Sequence, residues 1–143
     1  MPYHYLDDIA IADVAFQASG RTMEELFIAA ADATLNVMIE DLESIADRQR
    51  CSVSLENDSL EMLLLNFLQE IIYYKDAEEL LLRFKNVVIN RRDGQLILTA
   101  QAYGENLNRQ KHGMRTDVKA VTLHRLSVQA TDNGWEAVVV LDV

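Results

Sequence analysis

Residues 82–103 read LRFKNVVINRRDGQLILTAQAY, and this stretch decides the fold class. Two runs rich in apolar residues, 82–90 and 95–103, flank the tripeptide Arg92-Asp93-Gly94. Glycine accepts a positive φ without a Cβ penalty, as a tight hairpin turn requires. The stretch therefore predicts an antiparallel β-hairpin, and the chain is expected to be mainly β from residue 80 onward.

A second hairpin signal lies further along the chain, at Asp132-Asn133-Gly134. It separates a long predicted strand over residues 118–130 from a closing strand over residues 135–142. Together the two turns predict a run of four strands after residue 80.

The first half of the chain carries two helix signals. Thr22-Met23-Glu24-Glu25 fits a capping box, in which Thr22 and Glu25 satisfy each other's free backbone N–H groups, and it predicts a helix over residues 23–39. Asp58-Ser59-Leu60-Glu61 is a second cap signal, before an apolar stripe that runs to about Lys75.

Strands are predicted before each helix, at residues 9–18 and 49–56. The order β-α-β-α-β-β-β-β favours an α+β fold, in which an antiparallel-rich sheet is covered by two helices in a two-layer sandwich. The order of the strands within the sheet does not follow from the sequence.

The length of 143 residues predicts a single domain over residues 1–143. Cys51 is the only cysteine, so no disulfide can form within the chain, and its place on the apolar face of a predicted strand favours a core residue. No signal peptide and no apolar run of about 20 residues is found, which predicts a cytoplasmic protein without a membrane span.

The formal net charge is −10, from 13 Lys and Arg against 23 Asp and Glu. A phosphate backbone is bound by clustered basic residues, so direct nucleic-acid binding is not expected. Basic residues do cluster in part, at 83–92 and 109–125, and this leaves a local patch open. An acidic protein with such a patch fits a protein partner better than RNA.

Two aspartates occupy unusual positions in apolar strands. Asp13 lies within the first predicted strand, and Asp142 follows Val138-Val139-Val140-Leu141 in the last one. If these strands are neighbours, the carboxylates could together bind a hard cation such as Ca²⁺ or Mg²⁺, with an oxygen of Val143 as a further ligand. The alternative is that each aspartate is solvated at a strand end.

The stretch Tyr103 to His124 concentrates the other polar groups. Glu105 follows a strand, His112 lies in a polar loop, and Lys119 and His124 belong to the long predicted strand. Alternation places His124 on one face with Val118, Ala120 and Thr122. Solvated loop residues and a satisfied core histidine are the alternatives to a functional role. The three histidines lack zinc-site spacing, and no nucleotide-binding loop or nucleophile turn is present.

Several of these segments resemble the archease family, and the resemblance extends from end to end. The matching segments are Ala12-Asp13, the helix start Thr22 to Phe27, Ala30-Ala31, Val37-Met38, the helix Asp58 to Asp76, Ala102-Tyr103-Gly104-Glu105, His112, Val118 to His124, Trp135 and Leu141-Asp142-Val143. Two positions differ. The family usually has His-Thr where this chain has Ala10-Ile11, and often has Asp where this chain has Asn108.

The resemblance implies a non-enzymatic cofactor of the tRNA-splicing RNA ligase, which joins a 3′-phosphate or 2′,3′-cyclic-phosphate end to a 5′-hydroxyl. Archeases promote guanylylation of the ligase and sustain multiple turnover. Carried over, the resemblance implies that Asp13, Asp142 and Val143 hold a divalent cation, with Ca²⁺ the first choice. It also places Glu105, His112, Lys119 and His124 on a surface that contacts the partner.

Two other functions stay open at this stage. One is a chaperone-like adaptor for another nucleic-acid-processing enzyme. The other is a small metal-dependent hydrolase, which the absence of an evident nucleophile and base pair in the sequence disfavours.

Overall fold

The computed structural model describes residues 2–7 and 13–143. In these residues the chain forms strands and helices in the order β1 (Tyr3–Leu6), β2 (Asp13–Gly20), α1 (Met23–Met38), β3 (Gln49–Asn57), α2 (Leu60–Glu78), β4 (Leu80–Arg92), β5 (Gln95–Asn106), α3 (Arg109–His112), β6 (Ala120–Val121), β7 (Ser127–Thr131) and β8 (Gly134–Asp142), with a 3-10 turn at Leu42–Ser44. The predicted α+β class is confirmed. None of the described helices has the length and apolar character that crossing a membrane requires.

The strands form two antiparallel sheets. The larger one has the order β1-β2-β8-β6, with β7 also paired to β8, and the smaller one has the order β3-β5-β4. The sequence predicted the antiparallel pairing and the two covering helices, whereas the division into two sheets is seen only in the structure. The predicted start of the first strand, residues 9–12, lies outside the described residues.

Helix α1 packs against strands of both sheets, and α2 packs mainly on the smaller one. Phe67 of α2 joins these layers, because its ring centroid lies 5.5 Å from that of Phe27 in α1 and 4.5 Å from that of Phe84 in β4. All three side chains are buried. Aromatic contacts at such distances add to the large apolar area that these rings bury.

The two long helices begin where the sequence predicts. Ser59 accepts the N–H of Met62 at 3.2 Å, and Thr22 accepts the N–H of Glu25 at 3.1 Å. The capping box is not reciprocal as predicted, because the Glu25 carboxylate accepts the N–H of Arg21, one residue earlier, at 3.1 Å. Helix α1 ends at Met38, and α2 continues past Lys75 to Glu78.

The hairpin between β4 and β5 follows the prediction closely. Asp93 and Gly94 are its two turn residues, and both have positive φ, 51° and 79°. Two consecutive positive φ values give the turn twist that matches the twist of the flanking strands. Asp132 and Asn133 make the corresponding connection between β7 and β8.

The prediction of one strand over residues 118–130 is wrong. Both β6 and β7 pair with β8, but Val121 is opposite Leu141 and Ser127 is opposite Val138. The chain therefore uses more residues than β8 does over this span, and the surplus leaves the sheet as a turn in which Arg125 has a φ of 56°. His124 lies in this turn and is exposed, so strand alternation does not determine its direction.

Candidate functional site

The two aspartates predicted as a site are direct neighbours. Asp13 of β2 pairs with Asp142 of β8, and Ala120 of β6 pairs with Asp142 from the other side. Residues directly opposite in an antiparallel ladder place their side chains on the same face, with Cβ atoms about 5 Å apart. Both aspartates are half-buried. The strand ends thus bring two carboxylates together on one face of the larger sheet.

The ion pairs found among the described residues include neither of these carboxylates. Like charges directly opposite in a sheet repel each other, and a cation between them removes that repulsion. Oxygen atoms of carboxylates are the ligands that Ca²⁺ and Mg²⁺ prefer. The donor set therefore fits a hard divalent cation.

The described residues offer no group of three or more His, Cys, Asp or Glu side chains that could hold a metal ion. A cation at Asp13 and Asp142 would need further oxygens, from main-chain carbonyls or water. Val143 is adjacent, and its half-buried side chain packs against the core. Residues Ala10 and Ile11, which differ from the family pattern, lie outside the described residues.

Lys119 lies beside the acidic pair. Its backbone N–H donates to the carbonyl oxygen of Asp142 at 2.8 Å, and the residue is exposed. His124 is exposed in the turn between β6 and β7, and Thr122 just before that turn is bonded to the Val140 carbonyl oxygen through both its N–H and its hydroxyl, each at 3.0 Å. Of the four residues predicted as a contact surface, these two are accessible.

The other two, Glu105 and His112, are buried and in contact with each other. His112 is fully buried, Glu105 is 7% exposed, and His112 Nε2 lies 2.9 Å from Glu105 Oε2. The expectation of a histidine in a polar loop is corrected here, because residues 109–112 form the short helix α3 that turns His112 inward. Any contribution of these two side chains to partner contact would act through the segment that they hold in place.

The hydrogen bonds assign the tautomer of His112. Its Nδ1 accepts the backbone N–H of Asn108 at 3.0 Å, so the ring proton is on Nε2, which donates to Glu105. Asn108 also accepts the N–H groups of Gln110 and Lys111 through its side-chain oxygen, at 3.1 and 3.0 Å. Asn108 thus caps α3 with the oxygen that an aspartate would offer in the same place.

Three further groups lie against the Glu105 carboxylate, two within hydrogen-bond distance and one as a longer ion pair. The Lys111 Nζ lies 2.7 Å from Oε2, the Ala46 N–H donates to Oε2 at 2.9 Å, and Arg48 Nε lies 3.6 Å from Oε1. The hydrogen bond from Lys111, helped by those from Ala46 and His112, holds the pKa of Glu105 down at about 2, although burial acts in the opposite direction. The carboxylate is charged at neutral pH and connects β5, α3 and the loop before β3.

The residues after Glu105 form a crossover segment, residues 107–119, that links the two sheets. It begins where Leu107 N–H donates to Glu79 O at 2.7 Å. The N–H groups of Arg115 and Thr116 then donate to the carbonyls of Met38 and Val37, at 2.8 and 3.2 Å. The last carbonyls of α1 lack partners within the helix, so the crossover segment supplies donors that the helix end needs.

Lys75 fixes the far end of the crossover segment. Its buried Nζ donates to the Val118 carbonyl at 2.8 Å and forms ion pairs with Asp117 and Asp76. Gln69 of the same helix accepts the Val121 N–H at 2.6 Å. Sequence reasoning missed both residues. The available signal was that Lys75 is the only basic residue of α2.

Fold and site together define a small acidic α+β protein with a pair of facing carboxylates at strand ends. The sequence model of the archease protein family (MTH1598/TM1083) matches residues 3–143. The chain is 38% identical to the protein archease of Methanosarcina barkeri over 99% of this chain and 95% of the relative, and 35% identical to that of Pyrococcus furiosus over 92% and 93%. This chain belongs to the archease family.

Two solved structures share the fold. The solution structure of Methanobacterium thermoautotrophicum protein 1598 is 32% identical, superposes with a TM-score of 0.85, and is covered over 99% of both chains. The crystal structure of a Thermotoga maritima protein, described as an archease and possible chaperone, has a TM-score of 0.61 over 98% of both chains. At 20% identity that second likeness concerns the fold alone.

Proposed function

We propose that this protein is a non-catalytic activator of the tRNA-splicing RNA ligase that joins a 3′-phosphate end to a 5′-hydroxyl. It promotes guanylylation of the ligase and sustains its multiple turnover in the cytoplasm. Membership of the archease family supports the proposal. The single observation that carries it is the pairing of Asp13 with Asp142, because it sets two carboxylates, the ligand type that hard cations prefer, side by side at the strand ends.

A non-catalytic role agrees with the state of the nucleophilic and basic side chains. His112 is fully buried and committed to Glu105, and Cys51 lies half-buried in β3. His124 is exposed in a turn. Among the described residues no histidine is hydrogen-bonded to a serine, threonine or cysteine side chain, which is the arrangement that activates a protein nucleophile.

The proposed cation is Ca²⁺, held by Asp13, Asp142 and an oxygen of Val143. When bound, it would supply positive charge at an acidic surface, where a phosphate or carboxylate of the ligase complex could be attracted. The chain's own residues position it: the ladder sets Asp13 opposite Asp142, and the Lys119 N–H holds the main chain of Asp142. Lys119, His124 and the crossover segment form the surface that contacts the ligase protein, with no direct contact to nucleic acid.

The test is guanylylation of a purified partner ligase, with and without this protein, over several turnovers. We expect wild type to raise both rate and turnover number, and Asp13→Asn and Asp142→Asn each to abolish most of the gain. Asp132→Asn is the matched control, because Asp132 is exposed in the β7–β8 turn. The proposal fails if the ligase is unaffected by wild type, or if the site variants behave like the control.

Calorimetric titration with Ca²⁺ tests the site separately from the partner. Wild type and Asp132→Asn should bind, and Asp142→Asn should not. Activation that survives the loss of calcium binding would place the activity on the surface around Lys119 and His124 instead.

A second candidate is a chaperone-like adaptor for another nucleic-acid-processing enzyme. It is compatible with the net charge of −10, which favours a protein partner over direct binding of RNA. Co-purification of the tagged chain from its own cells distinguishes the two. Recovery of the ligase supports the first candidate, and recovery of a different enzyme without the ligase supports the second.

A further inference from the structure

The smaller sheet has two edges of different character. At the β4 edge, the Glu24 carboxylate of α1 accepts the backbone N–H of Ile89 at 3.2 Å. At the other edge, β3 pairs with β5 alone among the described strands. An uncovered edge presents unpaired N–H and C=O groups and is a template for another strand.

Strand β3 lacks the features that commonly protect an edge. It is nine residues long, and its register with β5 is continuous from Gln49 to Asn57. The centre of the strand, residues 51–55, contains no charged residue and no proline. Edges are usually blunted by a bulge, a proline, a central charge or short length, and none of these is present in β3.

We propose that β3 pairs antiparallel with β3 of a second copy of this chain, about a two-fold axis at Val53. In this register the residues of one copy face those of the other as Gln49 with Asn57, Arg50 with Glu56, Cys51 with Leu55, Ser52 with Ser54, and Val53 with its counterpart. The smaller sheets of the two copies, with three strands each, join into one continuous six-stranded sheet.

The register follows from complementarity along the strand. Arg50 and Glu56 are the only charged residues of β3, and the symmetric register sets them opposite each other twice. In the single chain Arg50 forms an exposed ion pair with Asp47, at 3.0 Å, and the second copy adds Glu56 as a further partner. Apolar residues then face apolar residues, and serines face serines. Moving the two-fold axis to Ser52 sets Arg50 against Ser54, and moving it to Ser54 sets Glu56 against Ser52. Either change leaves two residues of each β3 without a partner in the other β3. The register about Val53 therefore pairs the most residues.

The helix that packs on β3 carries an exposed aromatic residue. Tyr73 of α2 is 58% exposed, and its ring lies 5.3 Å from that of Tyr74 in an edge-to-face arrangement. Helix α2, which carries both tyrosines, packs on β3, and Tyr74 is partly buried against the core. Exposed aromatic residues are enriched in interfaces, so Tyr73 is available for contact with a second copy.

The first test is the molar mass in solution, by light scattering and sedimentation over a range of concentrations. Wild type should approach twice the chain mass of 16.2 kDa as concentration rises. Arg50→Glu and Glu56→Arg should each weaken the dimer at least about tenfold, since each sets like charges opposite twice per dimer. The combined variant should restore it, and Arg92→Glu on β4 should leave it unchanged.

Cross-linking tests the register itself, in a Cys51→Ser background. Chains carrying Ser52→Cys, mixed with chains carrying Ser54→Cys, should form a disulfide-linked pair on oxidation, and neither chain alone should do so. A wild type that stays monomeric up to about 1 mM overturns the proposal. So does a dimer that the charge reversals leave unchanged, or an edge that pairs only with a strand of another protein.

Discussion

Asp13 and Asp142 face each other across the β2–β8 ladder, although they lie near opposite ends of the sequence. Without a cation this pair is a repulsive contact within the fold. Asp13→Asn should therefore stabilise the metal-free protein, by about 0.5 kcal/mol, the usual scale of a cross-strand charge pair. Urea denaturation in the presence of a chelator measures it, with Asp132→Asn as the control.

Added calcium should reverse the order of stability. A ligand that binds only the folded state stabilises it by mass action, so wild type gains and Asp13→Asn does not. Equal calcium responses in the two proteins would mean that the acidic pair does not bind the ion.

Replacing Glu105 tests the buried cluster. Glu105→Gln keeps the shape but removes the charge that faces Lys111, Arg48 and His112. We expect a loss of about 1–3 kcal/mol in the free energy of unfolding, because the buried His112 and the partly exposed Lys111 lose their charged acceptor. Glu78→Gln, at the exposed end of α2, is the matched control and should change little; similar losses in both variants would contradict the account.

The same residue gives a pH prediction. The pKa of Glu105 is lowered in the folded state from 4.5 to about 2, so the unfolded chain binds the proton more readily. Its contribution to stability is therefore complete above pH 4.5 and is lost as the pH falls from there toward 2. The difference in unfolding free energy between wild type and Glu105→Gln should shrink over that window, and a difference independent of pH would refute the assignment.

We expect Lys75 to stabilise the crossover segment more than the hydrophobic core. Lys75→Met retains the apolar stem but removes the donor to Val118 O and the ion pair with Asp117. The variant should lose about 1–3 kcal/mol, and amide hydrogen exchange should rise at Lys119 and Val121 more than in β5. Lys85→Met, at an exposed position, should leave exchange in that region as in wild type.

Gly104 allows β5 to lie close to β4 just before the cluster. A Cβ atom there would come within 2.9 Å of the Leu81 carbonyl carbon, so Gly104→Ala forces the two strands apart. We expect a loss of more than about 3 kcal/mol, or failure to fold. Gly94→Ala is the informative comparison, because its Cβ meets open space and only the positive φ is strained, at a cost of about 1 kcal/mol. Thermal unfolding of the two variants decides between steric and conformational causes.

Local signals in the sequence predicted the local structure. Thr22 and Ser59 cap the helices as expected, and the turns at Asp93-Gly94 and Asp132-Asn133 form where their residues favour them. These features depend on hydrogen bonds and backbone preferences within a few residues, which a sequence displays directly. The four-residue helix α3 and the strand β1 were not predicted, because short elements carry too little periodicity.

The partition of the strands into two sheets could not be read from the sequence. Pairing between β2 and β8 depends on packing across the whole chain. The break between β6 and β7 depends on the positive φ of Arg125, which no sequence pattern predicts. The candidate site was likewise only partly predictable from the sequence. The chemistry of Asp13 and Asp142 was evident from two carboxylates in apolar strands. The burial of His112 was not, since it depends on the short helix α3 and on the Glu105 carboxylate that accepts its ring N–H.

The β2–β8 pairing also has a consequence for biosynthesis. The two long helices and the smaller sheet are complete once residue 106 has left the ribosome, whereas β2 must wait for residues 134–142 before its neighbour β8 exists. The larger sheet therefore closes last during synthesis, and the two carboxylates meet only at that moment. Any ligand that needs both of them distinguishes a finished molecule from a nascent one.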